Sequence, residues 1–411
     1  MHKLVILSVS ALLLFSCNRQ ANSEDPVERA RKIHEKVLTV DSHTDTPLWF
    51  ARGEFNLAER HNAREHGSRV DFPRMKEGGL DAVFFAVFLG QRERTTEGNQ
   101  EAFERAERIF DSVHAVVKRN PGLAGIALAP LDAYQLEKEG KRAIFIGIEN
   151  GYPLGNDLSL VKHFYDRGAR YITLCHTRNN DICDSSTDST EHNGLSNFGR
   201  EVVKEMNRIG MMVDVSHASD QSFYDVIELS SAPIIASHSS ARAVCDHPRN
   251  LTDDMLKALA ENGGVAQVCN LSDYVKEMPP NPQRDSARAV LREKYRGFEN
   301  LTDEEMKQAR KEWYEVNRKY PRNLATVQDY VDHIDHMVDV AGIDHVGIGT
   351  DFDGGGGVEG CYDVSEMPNI TIELVKRGYT EEDIEKIWGG NLMRVMKEVQ
   401  EKADELQAAA V

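Results

Sequence analysis

The chain has 411 residues, of which 40% are hydrophobic and 28% charged, enough to bury one large core or two medium ones. With 49 Lys and Arg against 67 Asp and Glu, the formal net charge is −18, which argues against nucleic acid or an anionic membrane surface as a partner. The N-terminus reads Met1-His2-Lys3, an almost wholly apolar stretch from Leu4 to Phe15, then Ser16-Cys17 and a polar stretch to Pro26. A basic start with an apolar core of about a dozen residues is the pattern of a signal peptide, too short to span a bilayer. Leu14-Phe15-Ser16-Cys17 has the form of a bacterial lipobox, so residues 1–17 are expected to be a lipoprotein signal peptide. Cys17 would then carry the lipid anchor. Asn18, where Asp could stand, points to the outer membrane, on its periplasmic side or at the cell surface. The alternative is an ordinary cleaved signal with an incidental Cys. A polar linker over 18–27 would lead into one domain over 28–411.

Apolar runs of strand length then alternate with helical patterns. They fall at residues 37–41, 81–88, 143–149, 170–175, 211–216, 233–237, 264–269 and 345–350. Eight such runs predict an α/β fold, a (β/α)8 TIM-type barrel, and their near-continuous apolarity fits parallel strands buried on both faces. Between them, Gly199 to Ile209 places Val202, Val203, Met206 and Ile209 on one side of a helix closed by Gly210. Thr252 and Thr380 are N-caps for helices rich in acids in the first turn. The pattern breaks after the seventh run into Pro279-Pro280-Asn281-Pro282 and a highly charged stretch, Ser286 to Lys319, with a helix start at Thr302-Asp303-Glu304-Glu305. It reads as a helical insertion over about 275–324, serving as a lid, a dimer contact or a solvated decoration. Cys175, Cys183, Cys245, Cys269 and Cys361 remain beyond the signal. Their odd number leaves at least one unpaired in the monomer, and no Cys-x-x-Cys zinc motif is present.

The strand ends carry the chemistry. His43 and Asp45 follow the first run, Glu149 ends the third, and His176 follows the fourth; His217, His238 and Asp351 follow the fifth, sixth and eighth. In a barrel all these ends open on one mouth, where such a cluster without a cation would hold repelling or desolvated charge. Two divalent ions resolve this, with His43 and Asp45 on one, His217 and His238 on the other, and Glu149 between them; His and carboxylate donors suit zinc and its neighbours. Ions about 3.5–4 Å apart can share a bridging hydroxide, which is hydrolytic machinery. Asp351 then suits a proton shuttle, and His176 the stabilisation of an oxyanion. His333 and His336, spaced i, i+3 on a helix, are also able to bind metal, but are expected on a helix face near the barrel exterior, away from the mouth.

The motifs closely resemble the membrane dipeptidases, also called renal dipeptidases, of the amidohydrolase superfamily. The resemblance runs from about Val40 to Val399 and rests on Asp41-Ser42-His43-Thr44-Asp45, Asp71-Phe72-Pro73-Arg74-Met75, Gly147-Ile148-Glu149-Asn150-Gly151 and Tyr171-Ile172-Thr173-Leu174-Cys175-His176. It continues through Asp214-Val215-Ser216-His217, Ser237-His238-Ser239-Ser240 and Gly349-Thr350-Asp351-Phe352-Asp353-Gly354. It implies a binuclear zinc peptidase, two Zn²⁺ per chain, that cleaves small dipeptides, including those with a C-terminal D-residue. By motif the metal ligands fall on His43, Asp45, Glu149, His217 and His238, the intermediate-stabilising His on His176 and the acid/base Asp on Asp351. The binder of the substrate's free carboxylate falls on Arg249, whose fork suits a carboxylate, with Tyr274 assisting by a looser alignment.

The chain also departs from the family. The partner positions of the mammalian disulfides are not cysteines here, and a homodimer follows only by analogy. Anchoring is expected through the N-terminal lipid instead of a C-terminal glycolipid, and the Ser286 to Lys319 segment is longer than its mammalian counterpart. Rival readings are another amidohydrolase-type reaction on a lactone, phosphoester or β-lactam, and a non-catalytic metal- or peptide-binding surface lipoprotein. The phosphotriesterase-like pattern bridges its metals with a modified Lys on the fourth strand, where this chain has Cys175-His176. Deaminases begin with His-x-His, absent here. The silent-lipoprotein reading expects a lost ligand or a lost Asp351, and all are present.

Overall fold

The computed structural model describes residues 25–51, 53, 55–298 and 301–409; the expected signal peptide, Cys17 and most of the polar linker lie outside them. Nine strands are found among the described residues: β1 (Val40–Thr44), β2 (Ala82–Phe88), β3 (Ala124–Ile126), β4 (Arg142–Glu149), β5 (Ala169–Thr173), β6 (Met212–Asp214), β7 (Ile235–Ala236), β8 (Val265–Cys269) and β9 (Val346–Gly349). Eight pair in parallel in the order β1-β2-β4-β5-β6-β7-β8-β9, and β3 pairs only with β4. The two ends meet where the Asp351 N–H donates to the His43 carbonyl at 3.0 Å and the Asp45 N–H to the Phe352 carbonyl at 2.8 Å. The result is a nearly closed (β/α)8 barrel.

Period-2 alternation splits each long strand between two cores. Val83, Phe85, Ile144 and Ile146 face the surrounding helices, whereas Phe84, Phe145 and Tyr171 point inward. The inward rings stack, Phe84 on Phe145 at 4.6 Å and on Tyr171 at 5.5 Å. Each such buried side chain contributes about 1.5–3 kcal/mol. Leu392, Met393 and Val395, at the start of the C-terminal helix Asn391–Ala409, join Leu38 and Val40 in this inner cluster. The lower barrel is thus filled by apolar side chains, which leaves the strand C-termini to the polar ones.

Several boundaries differ from the sequence reading. The first strand begins at Val40 instead of 37, because Val37 closes the helix Pro26–Lys36; His43 therefore lies within β1. The helix Pro26–Lys36 begins inside the stretch read as linker over 18–27, and the Asp25 side chain accepts from the Val27 N–H to cap it. β3 was not anticipated, since three residues are too few to show a period. The caps hold as expected: Thr252, Thr302 and Thr380 each accept from the N–H three residues on, and Gly210 ends its helix at φ +83°. Between β8 and β9 run Ser272–Val275, Pro282–Lys294 and Asp303–Lys319. The last two pack on each other around Leu291, Tyr295 and Ala309. The five described cysteines are all free and buried. Among the described residues no helix is long and apolar enough to cross a membrane.

Candidate metal centre

Each side chain at the mouth is held by a partner that orients it. Asp41, buried in β1, accepts from the His43 and Thr350 N–H groups at 3.2 and 2.9 Å and from the Thr350 hydroxyl, so it ties β1 to the end of β9. The Tyr171 hydroxyl donates to the Ser42 carbonyl at 3.2 Å and lies 2.8 Å from His43 Nδ1. Its one proton being used, it accepts from Nδ1–H, and His43 Nε2 presents a lone pair to the mouth. His238 is set the same way. Ser237 donates to Asp214 at 2.6 Å and lies 2.8 Å from His238 Nδ1, which leaves His238 Nε2 facing inward. Asp214 also accepts from Thr173, the Ser216 N–H and the Ser237 N–H, bracing the ends of β5, β6 and β7. His217 follows at φ +70°.

Glu149 stands at the centre. Its Oε1 lies 3.0 Å from His217 Nε2, 3.4 Å from His238 Nε2 and 3.8 Å from His176 Nε2, and its Oε2 lies 3.3 Å from His43 Nε2. Donor atoms within 4.8 Å of one another form three sets: His43, Glu149 and His238; Glu149, His176 and His217; and His43, Asp45 and Asp351. His238 thus shares a set with His43, and His176 with His217, so the expected division into a His43-Asp45 and a His217-His238 pair is not sharply drawn.

Asp351, at φ +56°, is packed close to Asp45. A Cβ on Gly354 would meet Asp351 Oδ1 at 2.1 Å and Asp45 Oδ2 at 2.3 Å, so only glycine fits there. Arg249 is 3% exposed. Its guanidinium donates to the His238 carbonyl at 3.0 Å and to Ser239 Oγ at 3.3 Å, lies 5.4 Å from the Tyr274 ring and keeps a buried Nε without a partner.

The donor set fits cations. His217 Nε2 and His238 Nε2 lie only 2.9 Å apart, while His43 Nε2, Asp45 Oδ1 and Glu149 Oε2 are buried without a hydrogen-bond partner, a costly state unless something positive engages them. Burial depresses His217 and His238, further lowered by Arg249 and by His43 respectively. Burial also opposes a charge on His43, yet Glu149, Asp45 and Asp351 raise it to about 10; the site calls for positive charge beside Glu149. Burial likewise lifts Asp45 well above its usual range, reinforced by Glu149.

His333 and His336 do not converge. The first is fully buried, its Nδ1 accepting from the Ala241 N–H at 3.0 Å and its Nε2 2.8 Å from the Val275 carbonyl; it is thus interior and not on an outer face. His336 pairs with Asp253 at 2.7 Å. The orienting residues Asp41, Tyr171, Asp214 and Ser237 had no role assigned from sequence; their one signal was that each opens a strand-end motif that also contains His43, His176, His217 or His238. The Asp71-Phe72-Pro73-Arg74-Met75 motif is a buried clamp: Arg74 donates to Asp71 at 2.8 Å, Asp363 at 3.0 Å and the Ser68 carbonyl at 3.0 Å. It fastens the loop after β9 to the segment after β1.

Residues 27–410 match the family described as membrane dipeptidase (Peptidase family M19). Dipeptidase verJ of Clonostachys rogersoniana is 32% identical over 396 residues, covering 93% of this chain and 90% of the relative. Dipeptidase 3 of Homo sapiens is 32% identical over 388 residues, covering 92% of this chain and 69% of the relative. Among solved structures, the probable dipeptidase PvdM from Pseudomonas aeruginosa superposes with a TM-score of 0.79 at 33% identity, over 92% of this chain and 99% of that one.

Proposed function

Because the chain belongs to the membrane dipeptidase family of metallopeptidases, we propose that it hydrolyses small dipeptides at a centre of two zinc ions held by His43, Asp45, Glu149, His217 and His238. The observation that carries this reading is Glu149, whose two carboxylate oxygens face different imidazoles, Oε2 towards His43 and Oε1 towards His217 and His238. When bound, the ions supply Lewis acidity and a water whose pKa falls from about 15.7 to about 7.

The other residues divide the remaining work. Arg249 fixes the free C-terminal carboxylate of the dipeptide with its guanidinium, and the Tyr274 ring limits where that guanidinium can swing. Burial, reinforced by Glu149 and Asp41, lifts the Asp351 carboxyl to about 7 against the pull of His43 and Arg249. Its carboxylate is placed to take a proton from the attacking water and return it to the leaving amine. His176, lowered chiefly by burial and 4.9 Å edge-on from Phe88, offers Nε2 to the oxyanion that forms on the scissile carbonyl. Substrates with a C-terminal D-residue are included. We further propose that lipidated Cys17 holds the exported enzyme at the outer membrane; Cys17→Ser is expected to move activity from the membrane fraction to the soluble one.

The test is a release assay over L,L and L,D dipeptides with chelator, zinc add-back and elemental analysis. Two zinc ions per active chain and reversible loss of turnover are expected. A blank panel, or full turnover with fewer than two ions, would sink the reading.

A further inference from the structure

The segment between β1 and β2, the loop after β9 and the helix Asp303–Lys319 enclose a cavity of about 990 Å³, at the upper end of the ~300–1,000 Å³ common to small-molecule sites. None of the metal-ligand candidates, Asp351, His176 or Arg249 lines it. Five Lys and Arg and two Glu do, a local reversal in a chain of net charge −18.

The helix supplies much of that charge, and its rotation is set by packing. Ala309, Trp313 and Val316 belong to the small core shared with Pro282–Lys294, and Trp313 also carries the Arg288 guanidinium at 4.3 Å. That leaves Lys311, Tyr314 and Arg318, spaced i, i+3 and i+7, on the cavity side. Across from them Arg64 and Arg69 each place a guanidinium 4.1 Å from the Tyr362 ring centroid. Trp49 closes the aromatic wall, stacked on Tyr314 at 6.0 Å.

The cavity adjoins the metal centre through two short links. The Leu48 N–H donates to the Asp45 carbonyl and the Trp49 N–H to the Thr46 carbonyl, both at 3.0 Å, so Trp49 stands one turn beyond Asp45. The Arg69 N–H donates to Asp353 Oδ1 at 2.7 Å, two residues beyond Asp351. Arg249, in contrast, hangs from the loop after β7. A dipeptide with its carboxylate on Arg249 and its scissile bond at the centre therefore sends its amino-terminal residue towards the loops after β1 and β9.

We propose that this cavity is the subsite for the amino-terminal residue's side chain and selects those that carry an anionic group; the proposal rests on the dipeptidase reading above. Converging cations repel one another and are relieved by an anion. A neutral isostere gains none of this.

The experiment compares kcat/KM for L-Glu-Ala with that for the isosteric, neutral L-Gln-Ala, with Ala-Ala alongside, at low ionic strength where surface charge is least screened. Wild type is expected to favour the glutamyl substrate by about tenfold, and the double reversal K311E/R318E to cut that ratio by about tenfold or more. Both positions are exposed, and a ratio within one variant is insensitive to general losses of activity. Equal wild-type rates on the two substrates, or a ratio that survives the double reversal, overturns the subsite while dipeptide hydrolysis stands. No turnover of any of the three overturns the dipeptidase reading and this proposal with it.

Discussion

Asp351 and Arg249 are both buried at the mouth, but their surroundings prepare them for different tasks. Burial, reinforced by Glu149 and Asp41, lifts the Asp351 carboxyl to about 7 against the pull of His43 and Arg249, a range in which a proton is exchanged easily. Asp351→Asn keeps the shape and removes the exchange. It is expected to retain two metal ions by elemental analysis while kcat falls about 10²–10⁴-fold, and undiminished turnover would remove the proton-transfer role. Arg249 instead presents a buried guanidinium with an unpaired Nε. Arg249→Ala should lower kcat/KM for dipeptides with a free C-terminus by roughly 10–100-fold, as expected for about 1.5–3 kcal/mol of charge-assisted hydrogen bonding. Amidated dipeptides should be affected much less; an equal loss on both would contradict a carboxylate clamp.

At the scale of elements, buried histidines outside the centre join pieces that no strand pairing holds. His34, in the helix Pro26–Lys36, lies 2.8 Å from the Gly78 carbonyl and 2.7 Å from Thr371 Oγ1, and His333 links the loops after β7 and β8. Burial lowers both pKa values below 6.5. The unfolded chain therefore takes up protons first as pH falls, so stability is complete above about 6.5 and declines as pH drops from there towards the folded values. Urea midpoints between pH 8 and 5 should show this fall, and His333→Gln should make it shallower. A midpoint that rises on acidification would contradict neutral, buried rings. The same scale explains the segment between β8 and β9: its sequence announced helices through Thr302 and the charge spacing, but only their mutual packing turns the Lys311 face to the cavity.

At the scale of the whole molecule, seven ionisable groups from six strand ends meet in one mouth, and their repulsion is a cost that bound cations offset. Exhaustive chelation should therefore lower the thermal midpoint and zinc should restore it, with a gain of about 2.7 kcal/mol when free zinc is 100 times its dissociation constant. An unchanged midpoint would mean that the ligands are not held by metal in the folded state. The barrel and the identity of these seven groups were legible in the sequence, because parallel strands buried on both faces are unbroken apolar runs and each run ends at the mouth. Asp41, Tyr171, Asp214 and Ser237 were visible as letters without roles. The three-residue β3, the shift of β1 to Val40, the sharing of Glu149 among imidazoles and the basic cavity were decided only by the tertiary structure. Local sequence carries the period and caps of an element. It carries no record of which residues, tens to hundreds of positions apart, share a hydrogen bond or a charge, since those distances exist only once the barrel has closed.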